Sequence, residues 1–273
     1  MAQTTTNTSA LTWKQEGHVA LVTISNPSAR NALTRTIFDQ GLELFRSFRR
    51  NPDIRAIVLC GDGAHFSGGG SLTRMQEQRG KPKHLQAEHV DQCHAWILAM
   101  RECPQPIIAA VEGAAAGGGM ALAMACDLMV AAEDAKMLMS HTRIGLSPDC
   151  GATHWLSRAL PHQLALELML DPSSLPVARL QQLGIVNRIA EKGQAISDAM
   201  AWAAVLAQGP AAAFGRVKTL TYAAEHRSLS DQMDAERDFV VESIYGDECG
   251  EGIHAFLEKR PARFDVNALT VAG

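Results

Sequence analysis

Two glycine-dense runs and one aspartate stand out as residues of this chain that could do chemistry. Phe66-Ser67-Gly68-Gly69-Gly70-Ser71-Leu72 follows the apolar IVLCGDG, and Gly117-Gly118-Gly119 follows PIIAAVEGAAA. Glycine accepts backbone angles closed to other residues and lets a ligand reach the main chain, so paired turns of this kind can aim two N–H groups at one oxygen atom. That geometry stabilises an oxyanion. Asp149, in Ser147-Pro148-Asp149-Cys150-Gly151, adds a carboxylate, and His94 and His141 add imidazoles. Each also has a purely structural reading: tight turns for the glycines, a helix N-cap for Asp149, a solvated helix residue for His94 and a local hydrogen bond for His141.

Several chemistries are excluded by spacing. Neither glycine run has the G-x-G-x-x-G spacing of a dinucleotide fold, and neither ends in the Gly-Lys-Ser/Thr of a P-loop. His84, His89, His94 and His141 form no HExxH or Cys/His ligand pattern, so no metal site is expected.

The elements that must position these residues alternate. His18 to Ile24 reads as a strand, closed by a turn at Asn26-Pro27, and a helix begins near Thr34 as N-cap with Ile37, Phe38, Leu42, Phe45 and Phe48 on one stripe. Ile54 to Cys60 reads as a buried strand entering the first glycine turn. Leu72 to Gln86, basic around Pro82, reads as a mobile flap before a helix that ends near Arg101. Pro106 to Val111 is a second buried strand, Met120 to Ala125 a short buried helix, and Asp127 to Ala131 and Lys136 to Ser140 two more strands. Helices then dominate, interrupted by a strand at Ile185 to Ile189. Strands alternating with helices and then a helical end predict an α/β core over residues 11–200 and a helical region over 201–273, preceded by a disordered tail at 1–10.

Composition sets the class. A chain of 273 residues with 47% hydrophobic and 20% charged content can bury a substantial core. A net charge of −4 and a pI near 6.2 give no signature of a nucleic-acid partner. The six cysteines (60, 93, 103, 126, 150, 249) make no CxxC pair, which predicts free thiols in a reducing cytoplasm. MAQTTTNTSA is neither basic nor apolar, and no run approaches the about 20 apolar residues of a membrane span, so no membrane association is expected.

Asn26-Pro27, Arg30-Asn31-Ala32-Leu33, FSGGGSL, PIIAAVEGAAAGGGMALAMACDLMVAA and the HAFLEKR tail, in this order over residues 11 to 264, resemble the crotonase (enoyl-CoA hydratase/isomerase) superfamily. The resemblance implies a ββα spiral core of ClpP-like α/β type, a C-terminal helical trimerisation region, and homotrimers or dimers of trimers. It implies an acyl-CoA substrate and no separate cofactor, coenzyme A entering as the thioester. By position in the motifs, the N–H groups of Gly70 and Gly118 would hold the thioester oxygen.

The hydratase branch carries glutamates at the positions that here are Ala121 and His141, so plain hydration lacks its usual acids. Ile144 to Thr153 instead resembles the PDCGG segment of ring-epoxyphenylacetyl-CoA isomerases and of Δ3,Δ2-enoyl-CoA isomerases that use one carboxylate. This implies Asp149 as a proton shuttle, its pKa raised when the acyl chain desolvates it. A 4-chlorobenzoyl-CoA dehalogenase belongs to the same superfamily and would make Asp149 a nucleophile and His94 a base; its active-site tryptophan, however, corresponds to His141. A further alternative is a non-catalytic binding or scaffold protein of this fold, and another is enoyl-CoA hydratase activity itself.

For the CoA moiety, the resemblance assigns contacts to Arg30, Ala32 and Leu33 and to the turn of Gly68, Gly69, Gly70, Ser71 and Leu72. Gly117, His141 and Pro148 are further substrate-site positions. Phe256 and Lys259 match residues that close over the nucleotide, often from a neighbouring subunit. Ser71 replaces the family's aspartate after the first glycine turn.

Overall fold

The computed structural model of the chain describes residues 9–171 and 173–264. Of the expected tail, residues 1–8 lie outside the described residues, and Ala10 already belongs to a strand. A hairpin of β1 (Ala10–Glu16) and β2 (Val19–Ser25) leads to α1 (Arg35–Phe48), β3 (Ala56–Gly61), α2 (Leu72–Gln78) and α3 (Lys83–Glu102). Next come β4 (Ile107–Val111), β5 (Ala114–Ala116), α4 (Gly118–Ala125), β6 (Leu128–Ala132) and β7 (Lys136–Leu138). Helices α5 (Ala152–Ala159), α6 (His162–Leu170) and α7 (Val177–Gln182) precede β8 (Arg188–Ala190). The chain then runs through α8 (Ala195–Ala207), α9 (Ala211–Ala224), α10 (Leu229–Ile244) and α11 (Asp247–Leu257).

The main sheet has the order β1-β2-β3-β4-β6-β8, with β1 antiparallel to β2 and every other pair parallel. Parallel strands need crossovers, and each crossover here carries a helix or a pass through a second layer. That layer is the parallel pair β5-β7, extended by the bridges Ser67 to Ala115 and Leu33 to Gly70. The repeated excursion from the main sheet to this second layer and back through a helix is the ββα spiral that the resemblance implied. It also draws both glycine runs into one layer.

Every residue of β3 and β4 is buried, as expected of apolar runs covered on both faces. On one face α8 lays a stripe of Ala195, Ala199, Ala203 and Ala207 against the sheet, small side chains at one-turn spacing that let the helix approach closely. The division expected between residues 200 and 201 therefore falls inside a helix that packs on the sheet. Elsewhere α1 and α3 pack together through Phe45, Phe48 and Trp96, all fully buried. The C-terminal helices are pinned by Lys218, whose Nζ lies 2.7 Å from Asp127 Oδ2 and 3.2 Å from the carbonyls of Met100 and Gln105. Tyr222 donates its hydroxyl to the other oxygen of Asp127, and Arg101 stacks on the Tyr222 ring.

The segment expected as a flap, 72–86, carries α2, a turn over 79–82 and the start of α3. Ser71 caps α2 by accepting from the Arg74 amide at 3.3 Å, and α3 starts immediately after Pro82. β1 was not foreseen because only Leu11 of its seven residues is buried, so it shows no alternation. The strand expected at Ile185 to Ile189 begins at Arg188; Ile185 and Val186 are buried in the turn that feeds it. Among the described residues no helix is long and apolar enough to cross a membrane.

Candidate active site

The first glycine run is held between two partners. Gly68 donates to the Arg30 carbonyl at 2.8 Å, Leu33 donates to the Gly69 carbonyl at 2.8 Å, and Ala116 donates to the Ser67 carbonyl at 2.9 Å. Gly69 has φ +83°, and a Cβ there would meet the Ala116 oxygen at 2.6 Å and the Gly118 nitrogen at 3.0 Å. A Cβ at Gly119 would meet the Ser67 oxygen at 2.2 Å. The two runs are thus pressed together main chain to main chain, which only glycine allows. Gly118 is the first residue of α4, where amides have no acceptor within the helix. Among the described residues the amides of Gly70 and Gly118 donate to no main-chain carbonyl outside the helices and strands.

Asp149 approaches the second glycine run. A Cβ at Gly118 would lie 3.9 Å from Asp149 Oδ1 and 3.7 Å from Cys150 Sγ. The N-cap of α5 is Gly151 rather than Asp149, because Cys150 (φ +53°) and Gly151 (φ +76°) turn the chain before the helix begins. This correction separates the carboxylate from any capping role. Oδ1 lies 3.2 Å from His141 Nε2, with His141 buried and Asp149 44% exposed on its side chain. Burial raises the Asp149 pKa, but hydrogen bonds from His141 and Cys150 and the charges of His141 and His94 outweigh it, leaving it below the ordinary carboxylate range. The raised value expected for a substrate-desolvated acid is therefore not a property of the free protein.

These groups line one cavity of 350 Å³. Of the expected site residues, Arg30, Leu33, Gly68, Gly70, Leu72, Gly117, Gly118, His141 and Asp149 face it. Ala32, Gly69, Ser71 and Pro148 do not line it; Gly69 acts through the main chain and Ser71 through the side-chain hydroxyl that caps α2. His94 is exposed on α3 and is not among the lining residues. Phe256, 82% exposed, lines a separate groove between α9 and α11, and Lys259 follows α11. Within one chain neither reaches the cavity.

Four lining residues carried no signal in the sequence. His89 is buried against Phe38, with ring centroids 5.1 Å apart, and burial with the charges of Arg74 and Arg35 pushes its pKa down to about 4. Arg74 projects from the helix that was expected to be a flap. Cys93 and Cys150 place their sulfurs 3.2 Å apart beneath Asp149, and the Cys93 contact, burial and the Asp149 carboxylate push the Cys150 thiol up. A fifth residue, Asn31, supports the site from behind: fully buried at φ +54°, it donates to the carbonyls of Asp62 and His65 and accepts from Ser67 Oγ through its own carbonyl. Its place in the Arg30-Asn31-Ala32-Leu33 motif was the only hint.

No three His, Cys, Asp or Glu side chains among the described residues are grouped to hold a metal ion. The arrangement can polarise a carbonyl oxygen from two amides while a single carboxylate, oriented by a buried imidazole, exchanges a proton with a nearby carbon.

Known proteins share this architecture. A solved enoyl-CoA hydratase from Polaromonas sp. JS666 superposes with a TM-score of 0.92 at 42% identity, covering 93% of this chain and 99% of that one. A probable enoyl-CoA hydratase of Rhodobacter capsulatus is 34% identical across 90% of this chain and 94% of its own length. The 1,2-epoxyphenylacetyl-CoA isomerase of Escherichia coli is 30% identical across 91% of this chain and 95% of its own. The family described as Enoyl-CoA hydratase/isomerase matches residues 14–267. Its residues, its spiral core and its relatives agree: this chain belongs to the enoyl-CoA hydratase/isomerase family of the crotonase superfamily.

Proposed function

We propose that this protein isomerises an acyl-CoA thioester, shifting a double bond or rearranging a ring through an enolate, with Asp149 as the proton shuttle. The observation that carries the reading is that Asp149 is the one carboxylate among the described residues lining the cavity shared by both glycine turns. For a 3-enoyl thioester, Asp149 removes a proton from C2 and the electron pair moves onto the carbonyl oxygen, where the amides of Gly70 and Gly118 stabilise it. The protonated acid then gives the proton to C4 as the electrons return, leaving the double bond between C2 and C3. One acid serves both transfers, so no second is needed.

Hydration is the second reading, favoured by the His141–Asp149 contact, since two polar groups in contact can hold a water molecule. Against it, position 121 is an alanine buried within α4 and position 141 a histidine. The dehalogenase reading is weakened by His94, whose charge reaches Asp149 but whose side chain is exposed and outside the cavity lining. A purely binding role leaves the convergence of two glycine turns and an acid without a purpose. The experiment incubates the purified protein in deuterium oxide with 3-enoyl-, 2-enoyl-, epoxyphenylacetyl- and 4-chlorobenzoyl-CoA. A shifted or rearranged thioester supports isomerisation, a 3-hydroxyacyl product from the 2-enoyl ester supports hydration, and chloride release would support the dehalogenase.

A further inference from the structure

The cavity is electrically lopsided. Asp149 is its single acid among the described residues, whereas Arg30, Arg74 and Arg143 contribute three guanidinium groups and His89 and His141 two imidazoles. Arg30 and Arg143 are exposed at the rim, but Arg74 turns inward from α2. Its Nη1 donates to Gln86 Oε1 at 3.0 Å, while its Nε is buried and donates to nothing among the described residues.

Arg74 is half-buried, but its buried, unpaired Nε is costly unless something meets it, because burial of an unpaired donor forfeits its hydration. Its planar fork matches a carboxylate through two parallel N–H donors. Gln86 fixes one side of the fork through a neutral acceptor and leaves the charge uncompensated. The surrounding walls of Phe38, Met75 and Val90 would strengthen any ion pair formed there.

Which part of a thioester reaches Arg74 follows from α3. Arg74 bonds Gln86, Cys93 touches Cys150 beside Asp149, and Gln86, Val90 and Cys93 lie on successive turns of one face of α3 that lines the cavity, so the guanidinium and the acid stand about 10 Å apart along one wall. On the isomerase reading above, that wall is at the acyl end, beyond the thioester, whereas the CoA phosphates have the exposed arginines at the rim. Resting on that reading, we propose that the acyl group carries a carboxylate of its own, held by Arg74. The substrate class is then the monothioester of a short unsaturated dicarboxylic acid.

The test uses saturated thioesters that cannot turn over: calorimetric binding of glutaryl-CoA, pentanoyl-CoA and free CoA to the wild-type protein and to R74Q. These two acyl chains have equal length and differ in the terminal carboxylate. Glutaryl-CoA is expected to bind the wild type about ten- to a hundredfold more tightly than pentanoyl-CoA, the range of a charged hydrogen-bonded pair. R74Q is expected to erase that preference while leaving pentanoyl-CoA and CoA unaffected. Equal binding of the two thioesters by the wild type overturns the proposal even if R74Q fails to fold. A uniform loss for all three ligands in R74Q also overturns it and assigns Arg74 to the CoA phosphates. Failure of every thioester to bind overturns the thioester reading and this proposal with it, whereas equal binding overturns only the latter.

Discussion

His141 Nε2 lies 3.2 Å from Asp149 Oδ1, a buried imidazole anchoring a half-exposed carboxylate. The imidazole does more than occupy the place of a hydratase glutamate. It anchors one oxygen of Asp149 and helps to lower its pKa, favouring the ionised form. Its Nδ1 is buried with no partner among the described residues, so the Asp149 bond is the ring's single anchor to another side chain.

Replacing Asp149 by asparagine keeps the shape and removes the proton acceptor. Turnover is expected to fall about a hundred- to ten-thousandfold, the usual worth of a positioned base, with thioester binding nearly unchanged. Single-turnover kinetics beside equilibrium binding checks this, and full turnover in the variant would remove Asp149 from the mechanism.

Because the Asp149 pKa is depressed in the folded protein, its acid is ionised throughout the neutral range. The acid limb of kcat/KM is expected below the ordinary carboxylate range. His141→Ala deletes a hydrogen bond and a charge that lower the pKa, so the limb moves to higher pH. The stability that these contacts confer is present above the unfolded-state pKa and is lost as pH falls through the folded one. A pH–rate profile of both proteins reads the direction, and a limb moving downward would contradict it.

Gly69→Ala forces a Cβ to within 2.6 Å of the Ala116 oxygen at a φ of +83°, so the two turns must part. Losing one oxyanion donor costs on the order of 3 kcal/mol, about a hundredfold in kcat. Gly80→Ala meets nothing within 4 Å and is the control, expected to leave rate and stability close to the wild type. Equal rates for the two variants would mean that contact between the turns is irrelevant to catalysis.

Lys218→Met leaves Asp127 buried without its cation. The two side chains are 9% and 14% exposed, so about 3 to 5 kcal/mol of stability is expected to go, measured by denaturant unfolding. The cavity lies elsewhere, so thioester affinity of the folded fraction should hold.

The parts of this fold that announce themselves are those whose local pattern and burial agree. β3 and β4 read as apolar runs because both faces are covered, and Thr34 reads as an N-cap because its side chain does accept from the Ile37 amide. α2 was missed since none of its residues is buried, and its start depends on a single serine. β5 is three alanines, held by pairing with Lys136–Leu138 rather than by propensity. At the site, the glycine runs stood out by type and order, and Asp149 only through the family resemblance of its segment. Arg74, His89 and the Cys93–Cys150 contact were not, because each depends on how distant helices meet, which no spacing within one segment encodes. The exclusion of His94 from the lining has the same cause: it lies one residue from the lining Cys93 and four from the lining Val90, yet its side chain is exposed.

Ala121 has a consequence beyond the missing acid. The peptide dipoles of α4 add up to a positive pole at Gly118, and its first turn contains no aspartate or glutamate to quench it. Nearly the whole helix is wrapped in hydrocarbon, so little solvent screens that pole. A glutamate at 121 would bring a water-activating group and a negative charge inside the helix; with alanine there, the carboxylate nearest that pole comes from outside the helix, at Asp149.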